Sequence, residues 1–264
     1  MNHKIGILQG RLSKAPKGRL QFFPKDFNLE FKIAKQIGFD YIEMFTERKY
    51  NRKNPIWTKY GVNDLKRSCL KKNNLNFYSF VDDYILKKKI DKNLFKYYQK
   101  LIHRLKKLNI KILTVPFYGN NKITKKNYQN YVKFLNFLNK KCLISKIHLS
   151  IESNITPELF KSLKKSLNKK IYFTFDTGNR VLLKRSMKND IFEFKSDIKH
   201  IHIKDKDSKK RNVQLGKGLV DFKSLFIYLK KINYKEALTL ETNRGNNPIL
   251  SASRNLKFVK RYLK

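Results

Sequence analysis

The sequence predicts an α/β fold, a closed (β/α)8 TIM barrel occupying residues 1–264 as a single domain, and three observations carry that expectation. Eight strand-like runs recur along the chain at intervals of about 25–40 residues. The gaps between them hold amphipathic stretches with helix start and stop signals at their ends. The length suits a barrel, which commonly occupies about 250 residues as one unit. Strand–helix alternation of this regularity implies a parallel sheet, and eight repeats imply its closure.

Taken in order, the first strand is read over 3–9 (HKIGILQ), and no apolar core behind a basic cluster marks Met1 to Gly10 as a signal peptide. Gly38 stops the first helix. Strands two and three are read over 40–45 (DYIEMF) and 76–81 (NFYSFV). The third gap sets Leu94, Tyr98, Leu101, Leu105 and Leu108 on one helical face. After strand four (110–116, IKILTVP), the fourth gap does the same with Val132, Leu135, Leu138 and Cys142. Strand five covers 146–152 (KIHLSIE), and Thr156 followed by Pro157 opens the fifth helix. Strand six covers 171–176 (IYFTFD), and the following gap, 177–197, has the weakest helical pattern. Strand seven covers 198–204 (IKHIHIK); Gly216 and Gly218 then form a turn before Asp221 caps the seventh helix. Strand eight covers 236–242 (EALTLET), and Asn247 with Pro248 opens the last helix. No Pro- or Ser-rich linker divides the chain.

Composition narrows the function classes. Hydrophobic residues at 41% and aromatics at 13% suffice for a large core, which excludes a wholly disordered chain. No uninterrupted apolar run reaches ~18 residues, so no conventional membrane span is expected. Cys69 and Cys142, the only cysteines, fall on apolar helical stripes and read as small hydrophobes, which suits a reducing cytoplasm. Lys and Arg number 61 against 20 Asp and Glu, a formal charge of +41. Such a field attracts nucleic acid or anionic metabolites. Yet the lysines spread over nearly every segment, and Asn, Ile, Phe and Tyr, whose codons are also AT-rich, are abundant. Solvated helix faces in an AT-biased genome account for that pattern and argue against a nucleic-acid partner.

The last four strands carry the chemistry. Ile147, Leu149 and Ile151 oppose His148, Ser150 and Glu152; Ile171, Phe173 and Phe175 oppose Tyr172, Thr174 and Asp176. Ile201 and Ile203 oppose His200, His202 and Lys204; Leu238 and Leu240 oppose Ala237, Thr239 and Glu241. Side chains alternate between faces along a strand, so the apolar sets pack on the outer helices and the polar or small sets face the interior. Each polar face ends in an ionisable group near the C-terminal end of its strand, where active sites of this fold lie. Glu152, Asp176, His202 and Glu241 therefore converge on one mouth. Three crowded carboxylates repel, and a divalent cation resolves the conflict. Three oxygen ligands and one imidazole favour Mn²⁺, Mg²⁺, Co²⁺ or Zn²⁺.

The segments KIHLSIES, TFDTGN, HIHIKD, LGKGLVDF and LTLET resemble, in this order and spacing, the sugar phosphate isomerase/epimerase family of xylose isomerase-like barrels. The opening GILQGRLS resembles members found among surface-polysaccharide genes. The resemblance implies one divalent metal on Glu152, Asp176, His202 and Glu241, Mn²⁺ or Mg²⁺ first among the candidates. It also implies that Glu152 and Glu241 act as acid and base on a small sugar, keto-sugar or sugar phosphate, through an enediolate. Facing bases suit epimerisation and a single shuttling base suits isomerisation; the sequence leaves both open. Many relatives place a histidine where Asn179 stands, which puts the usual substrates in doubt.

Second-tier substrate contacts are Gln9 and Arg11 at the rim of the first strand, Glu43 on the second, Glu158 after Pro157, Asn179, and Lys204 beside His202. Arg11 or Lys204 would grip a phosphate or carboxylate. His148 and His200 read as hydrogen-bonded core residues. No GxGxxG or P-loop is present, so no nucleotide cofactor is expected. A barrel-type metal-dependent endonuclease is the rival class, but five histidines in all are too few for the three-zinc site of those enzymes. A sugar dehydratase on the same scaffold reuses the same enolate logic and stays open, as does assembly into a homo-oligomer, whereas complete retention of the four-residue set weighs against a metal-free barrel used only for binding.

Overall fold

The computed structural model of the protein describes residues 3–16, 21–183 and 185–263. Eight parallel strands close into a barrel: β1 (Ile5–Leu8), β2 (Tyr41–Thr46), β3 (Asn76–Asp82), β4 (Ile112–Phe117), β5 (His148–Ser153), β6 (Tyr172–Asp176), β7 (Ile198–Ile203) and β8 (Leu238–Leu240). Each strand pairs with its sequence neighbours, and β1 closes the ring on β8 with Ile5 opposite Leu238 and Ile7 opposite Leu240. Every strand predicted from the sequence is present within two residues of its expected bounds.

Helices wrap the outside: α1 (Phe27–Ile37), α2 (Lys59–Leu65), α3 (Lys92–Lys107), α4 (Gln129–Ile144), α5 (Pro157–Lys165), α6 (Thr177–Arg180), α7 (Met187–Phe194), α8 (Phe222–Lys231) and α9 (Pro248–Leu263). The end signals act as expected. Gly38 adopts φ 96° and donates its N–H to Ala34 and Lys35, a left-handed cap that a side chain would strain. Thr156 and Asp221 accept from Leu159 N and Ser224 N, and Asn247 accepts from Leu250 N. The apolar stripe of α3 packs on α4, Tyr98 meeting Phe134 edge-on at 5.4 Å between ring centres. Both cysteine thiols are buried, and burial pushes each up from its ordinary range, so neither is reactive.

Two departures bear on the site. The gap after β6 holds not one helix but a single turn, α6, and the short α7, which explains its weak helical pattern. After β7, Asp205–Lys206 and Asn212–Val213 form an antiparallel hairpin that the sequence did not announce. Its root is Asp205, whose carboxylate accepts N–H groups from Lys206, Gly216, Gly218 and Val220. A Cβ at Gly218 would stand 2.3 Å from Asp205 Oδ1, so only glycine lets the backbone pass so close.

The inward faces carry hydroxyls and imidazoles, as the alternation predicted. Thr174 Oγ1 lies 2.7 Å from Ser150 Oγ and 2.9 Å from Thr114 Oγ1, and the Tyr41 hydroxyl lies 2.8 Å from Thr239 Oγ1. No helix among the described residues is long and apolar enough to cross a membrane.

Candidate functional site

Glu152 near the end of β5, Asp176 at the end of β6, His202 on β7 and Glu241 just after β8 meet at the C-terminal mouth, each less than 7% exposed. His202 Nδ1 lies 3.2 Å from Glu152 Oε2 and 3.3 Å from Glu241 Oε2. Donor atoms of Glu152, Asp176 and His202 all fall within 4.8 Å of one another. Lys204 Nζ bridges two of the acids, 2.7 Å from Asp176 Oδ2 and 2.8 Å from Glu241 Oε1. Buried Arg11 adds a contact from Nη2 to Glu241 Oε1 at 3.3 Å, and Gln21 donates to the same oxygen at 3.0 Å.

The donor set fits a divalent cation. Glu43, Glu152, Asp176 and Glu241 bring four carboxylates into one contact network with two cations, Arg11 and Lys204, which leaves two negative charges when the histidines are neutral. Unbalanced buried charge costs several kcal/mol per ion, and a dication would cancel it. The electrostatics agree. Burial alone would lower the His202 imidazole, but the carboxylates around it raise it well above its ordinary range, so the spot calls for positive charge. The two glutamates differ. Burial raises the Glu152 carboxyl, with Asp176 and Glu241 adding to the shift and His202 opposing it. Burial would raise Glu241 too, yet Lys204, His202 and Arg11 hold it well below the usual carboxylate range.

Above these groups lies a pocket of about 490 Å³. Leu8, Phe45 and Val81 of β1–β3 make an apolar wall, and Glu152 of β5, Lys204 and Glu241 line the same pocket. Tyr118, directly after β4, donates to Glu152 Oε1 at 3.0 Å, and Asn179 Nδ2 donates to that oxygen at 3.2 Å. Two donors on Oε1 turn Oε2 toward His202. Asp176 is split in the same way, its Oδ1 accepting the Asn179 backbone N–H at 2.7 Å while Oδ2 faces Lys204.

The second-tier residues separate. Asn179 and Lys204 line the pocket. Arg11, expected as a clamp for an anion, is instead a buried partner of Glu241. Gln9 is also buried, its backbone N–H bonded to the Glu43 carbonyl and its side chain without a hydrogen bond among the described residues. Glu43, expected as a substrate contact, lies a layer deeper, fully buried between His200 and His202. Glu158 does not join the cluster: α5 carries it outward, where it is exposed beside Arg185 at 3.7 Å. Its place in the first helical turn is explained by the helix dipole. His200 is a hydrogen-bonded core residue, whereas half-buried His148 meets Tyr172 edge-on.

Several pocket residues were not read from the sequence: Tyr118, Gln21, Arg48, Asp83, Lys206 and Lys210. A usable signal existed for Tyr118 and Asp83, which directly follow strand ends at the functional rim. None existed for Lys206 and Lys210, which reach the pocket only because of the hairpin.

Residues 31–262 match the family model described as xylose isomerase-like TIM barrel. A Haemophilus influenzae protein named as an L-ribulose-5-phosphate 3-epimerase is 24% identical, the match covering 97% of this chain and 95% of that protein. Among solved structures, D-psicose 3-epimerase with D-tagatose from Clostridium cellulolyticum H10 superposes with a TM-score of 0.76 at 17% identity, covering 99% of both chains. The IOLI protein with a bound zinc atom superposes with a TM-score of 0.74 at 16% identity, covering 98% of this chain and 96% of that one.

Proposed function

This chain belongs to the xylose isomerase-like TIM barrel family, and from that premise we propose that it is a divalent-metal-dependent epimerase or isomerase acting on a keto-sugar or its phosphate. The observation that carries the reading is the meeting of Glu152 and Glu241, from strands three apart in the ring, on one imidazole nitrogen beneath an open pocket. The sugar epimerases among its relatives support the same reaction class.

Inverting or moving a hydroxyl next to a carbonyl requires a base for the carbon-bound proton and an acid to return one. Glu241, whose carboxyl Lys204, His202 and Arg11 hold below the usual range, is one of the two carboxylates placed for this exchange. Glu152 is the other, and microscopic reversibility exchanges the roles of base and acid in the reverse direction. Tyr118 and Asn179 fix the Glu152 carboxyl by donating to its Oε1. A divalent cation on Glu152, Asp176, His202 and Glu241, Mn²⁺ or Mg²⁺ by the oxygen-rich ligand set, would supply the charge that stabilises an enediolate. The apolar wall of Leu8, Phe45 and Val81 keeps water from the reacting carbon. Arg48, Lys206 and Lys210 line the pocket with no ion pair among the described residues, and an anionic group on the substrate would meet them.

The deciding measurement is exchange of the proton next to the carbonyl with deuterated water, across keto-sugars and their phosphates, with and without Mn²⁺ or Mg²⁺. Metal-dependent exchange, lost in Glu241→Gln and Glu152→Gln by roughly 10²–10⁴-fold, is the expected result. Exchange with none of these substrates, or exchange indifferent to both substitutions, refutes the proposal, and incision of abasic DNA would favour a nuclease instead.

A further inference from the structure

Glu43 projects from β2 into the barrel beneath the four mouth residues, and its two oxygens go to different histidines. Oε1 lies 3.0 Å from His200 Nε2 and Oε2 lies 3.0 Å from His202 Nε2, with all three side chains wholly buried. His200 and His202 stand two apart on β7 and so share a face. Their rings meet edge-on at 5.1 Å and 88°, which lets one carboxylate span both. Thr239 Oγ1, itself held by the Tyr41 hydroxyl, lies 3.0 Å from the same nitrogen of His200.

An ionised carboxylate accepts hydrogen bonds and donates none, so contacts of 3.0 Å to each Nε2 favour the form of each ring that carries its hydrogen there. A neutral imidazole has one N–H. His202 is then left with a lone pair on Nδ1, the nitrogen that faces Glu152 Oε2 and Glu241 Oε2. With a cation between them, that lone pair and the two carboxylate oxygens would bind one centre.

Resting on the metal site proposed above, we infer that Glu43 is a positioning residue for the metal: it locks His202 in the Nε2–H form and thereby makes Nδ1 a ligand. His200 is the second half of the device. By holding the other oxygen, through the nitrogen that Thr239 also contacts, His200 stops the Glu43 carboxylate from turning away. Partners of this kind behind a ligating histidine fix its tautomer and ring orientation.

The test is Mn²⁺ affinity, followed by the electron paramagnetic resonance signal of free Mn²⁺, for the unsubstituted protein and for Glu43→Gln. The amide keeps one acceptor and replaces the other with a donor, so it cannot serve both Nε2–H groups. Mn²⁺ binding should weaken by roughly 10–100-fold. A merely structural role would lower the melting midpoint in EDTA and leave the affinity of the folded protein unchanged. Affinity within twofold of the unsubstituted protein overturns the inference. Should Glu43→Gln fail to fold, nitrogen-15 spectra of histidine-labelled, Zn²⁺-loaded unsubstituted protein decide the matter. Nε2 of His202 bearing hydrogen supports the inference, and a bare Nε2 overturns it. Unsubstituted protein that holds no Mn²⁺ would sink the underlying metal site, a result distinct from a Glu43→Gln variant that binds normally.

Discussion

Lys204 offers the sharpest test of the charge balance at the mouth. Its ammonium sits 2.7 Å from Asp176 and 2.8 Å from Glu241, with all three side chains at most 8% exposed. Lys204→Met keeps the length of the stem and removes the charge. Breaking a buried pair by deleting one partner costs about 3–5 kcal/mol, because the remaining charges stay buried without compensation. For a domain of this size each kcal/mol moves the melting midpoint by about 2–4 °C, so the metal-free variant should melt roughly 6–20 °C lower. The residues proposed to hold the metal are untouched, and the ammonium that repels a dication is gone. Mn²⁺ should therefore bind the variant more tightly than the unsubstituted protein. At a thousand times Kd it returns about 4 kcal/mol, most of the loss. Urea denaturation of both proteins in EDTA and in saturating Mn²⁺ measures both quantities. A loss below about 1 kcal/mol in EDTA, or no recovery with Mn²⁺, would refute the account of Lys204 as the built-in counter-charge.

Other consequences can be checked in parallel. Burial, with Glu241 and Glu152 nearby, raises the Asp83 carboxyl from 3.8 to about 7, partly offset by Arg48. A carboxyl that holds its proton more tightly when folded stabilises the fold less as pH rises from its unfolded value through its folded one. In EDTA, Asp83→Asn should accordingly be more stable than the unsubstituted protein at pH 8, by up to about 4 kcal/mol, with the difference vanishing near pH 4; equal stability at both pH values in urea titrations would contradict this. Arg180, buried under β5 and β6, pairs with Asp190, donates to the Ile155 carbonyl at 2.8 Å, and lies over the rings of Phe173, Phe175 and Phe194. Asp190→Ala strands that guanidinium and should cost about 3–5 kcal/mol in the same titration. Gly218→Ala forces its new Cβ against Asp205 and the Lys206 carbonyl and shifts the hairpin that carries Lys206 and Lys210. Its kcat/KM for the preferred substrate should fall roughly 10–100-fold while Mn²⁺ affinity holds, as steady-state kinetics and metal titration would show.

The sequence by itself determined the architecture and the membership of the mouth cluster. Strand and helix identity rest on period, a property of a few consecutive residues, so Ile147, Leu149 and Ile151 announced which face of β5 turns inward without knowledge of the rest. Phase then put Glu152, Asp176, His202 and Glu241 on the inward face near strand ends, and closure of eight strands brings such positions together. What only the tertiary structure decided is which groups touch across the ring and at what height. Glu43 proved to lie under His202, and Arg11 against Glu241, because strand stagger sets residues distant in sequence on one level. Glu158 left the site because α5 turns it into solvent. The hairpin bearing Lys206 and Lys210 arose from the Asp205 carboxylate gathering four N–H groups from residues up to fifteen positions away. Period and phase are local, and a one-dimensional pattern records them; partnership across a barrel depends on stagger and loop closure, which exist only once the chain has folded.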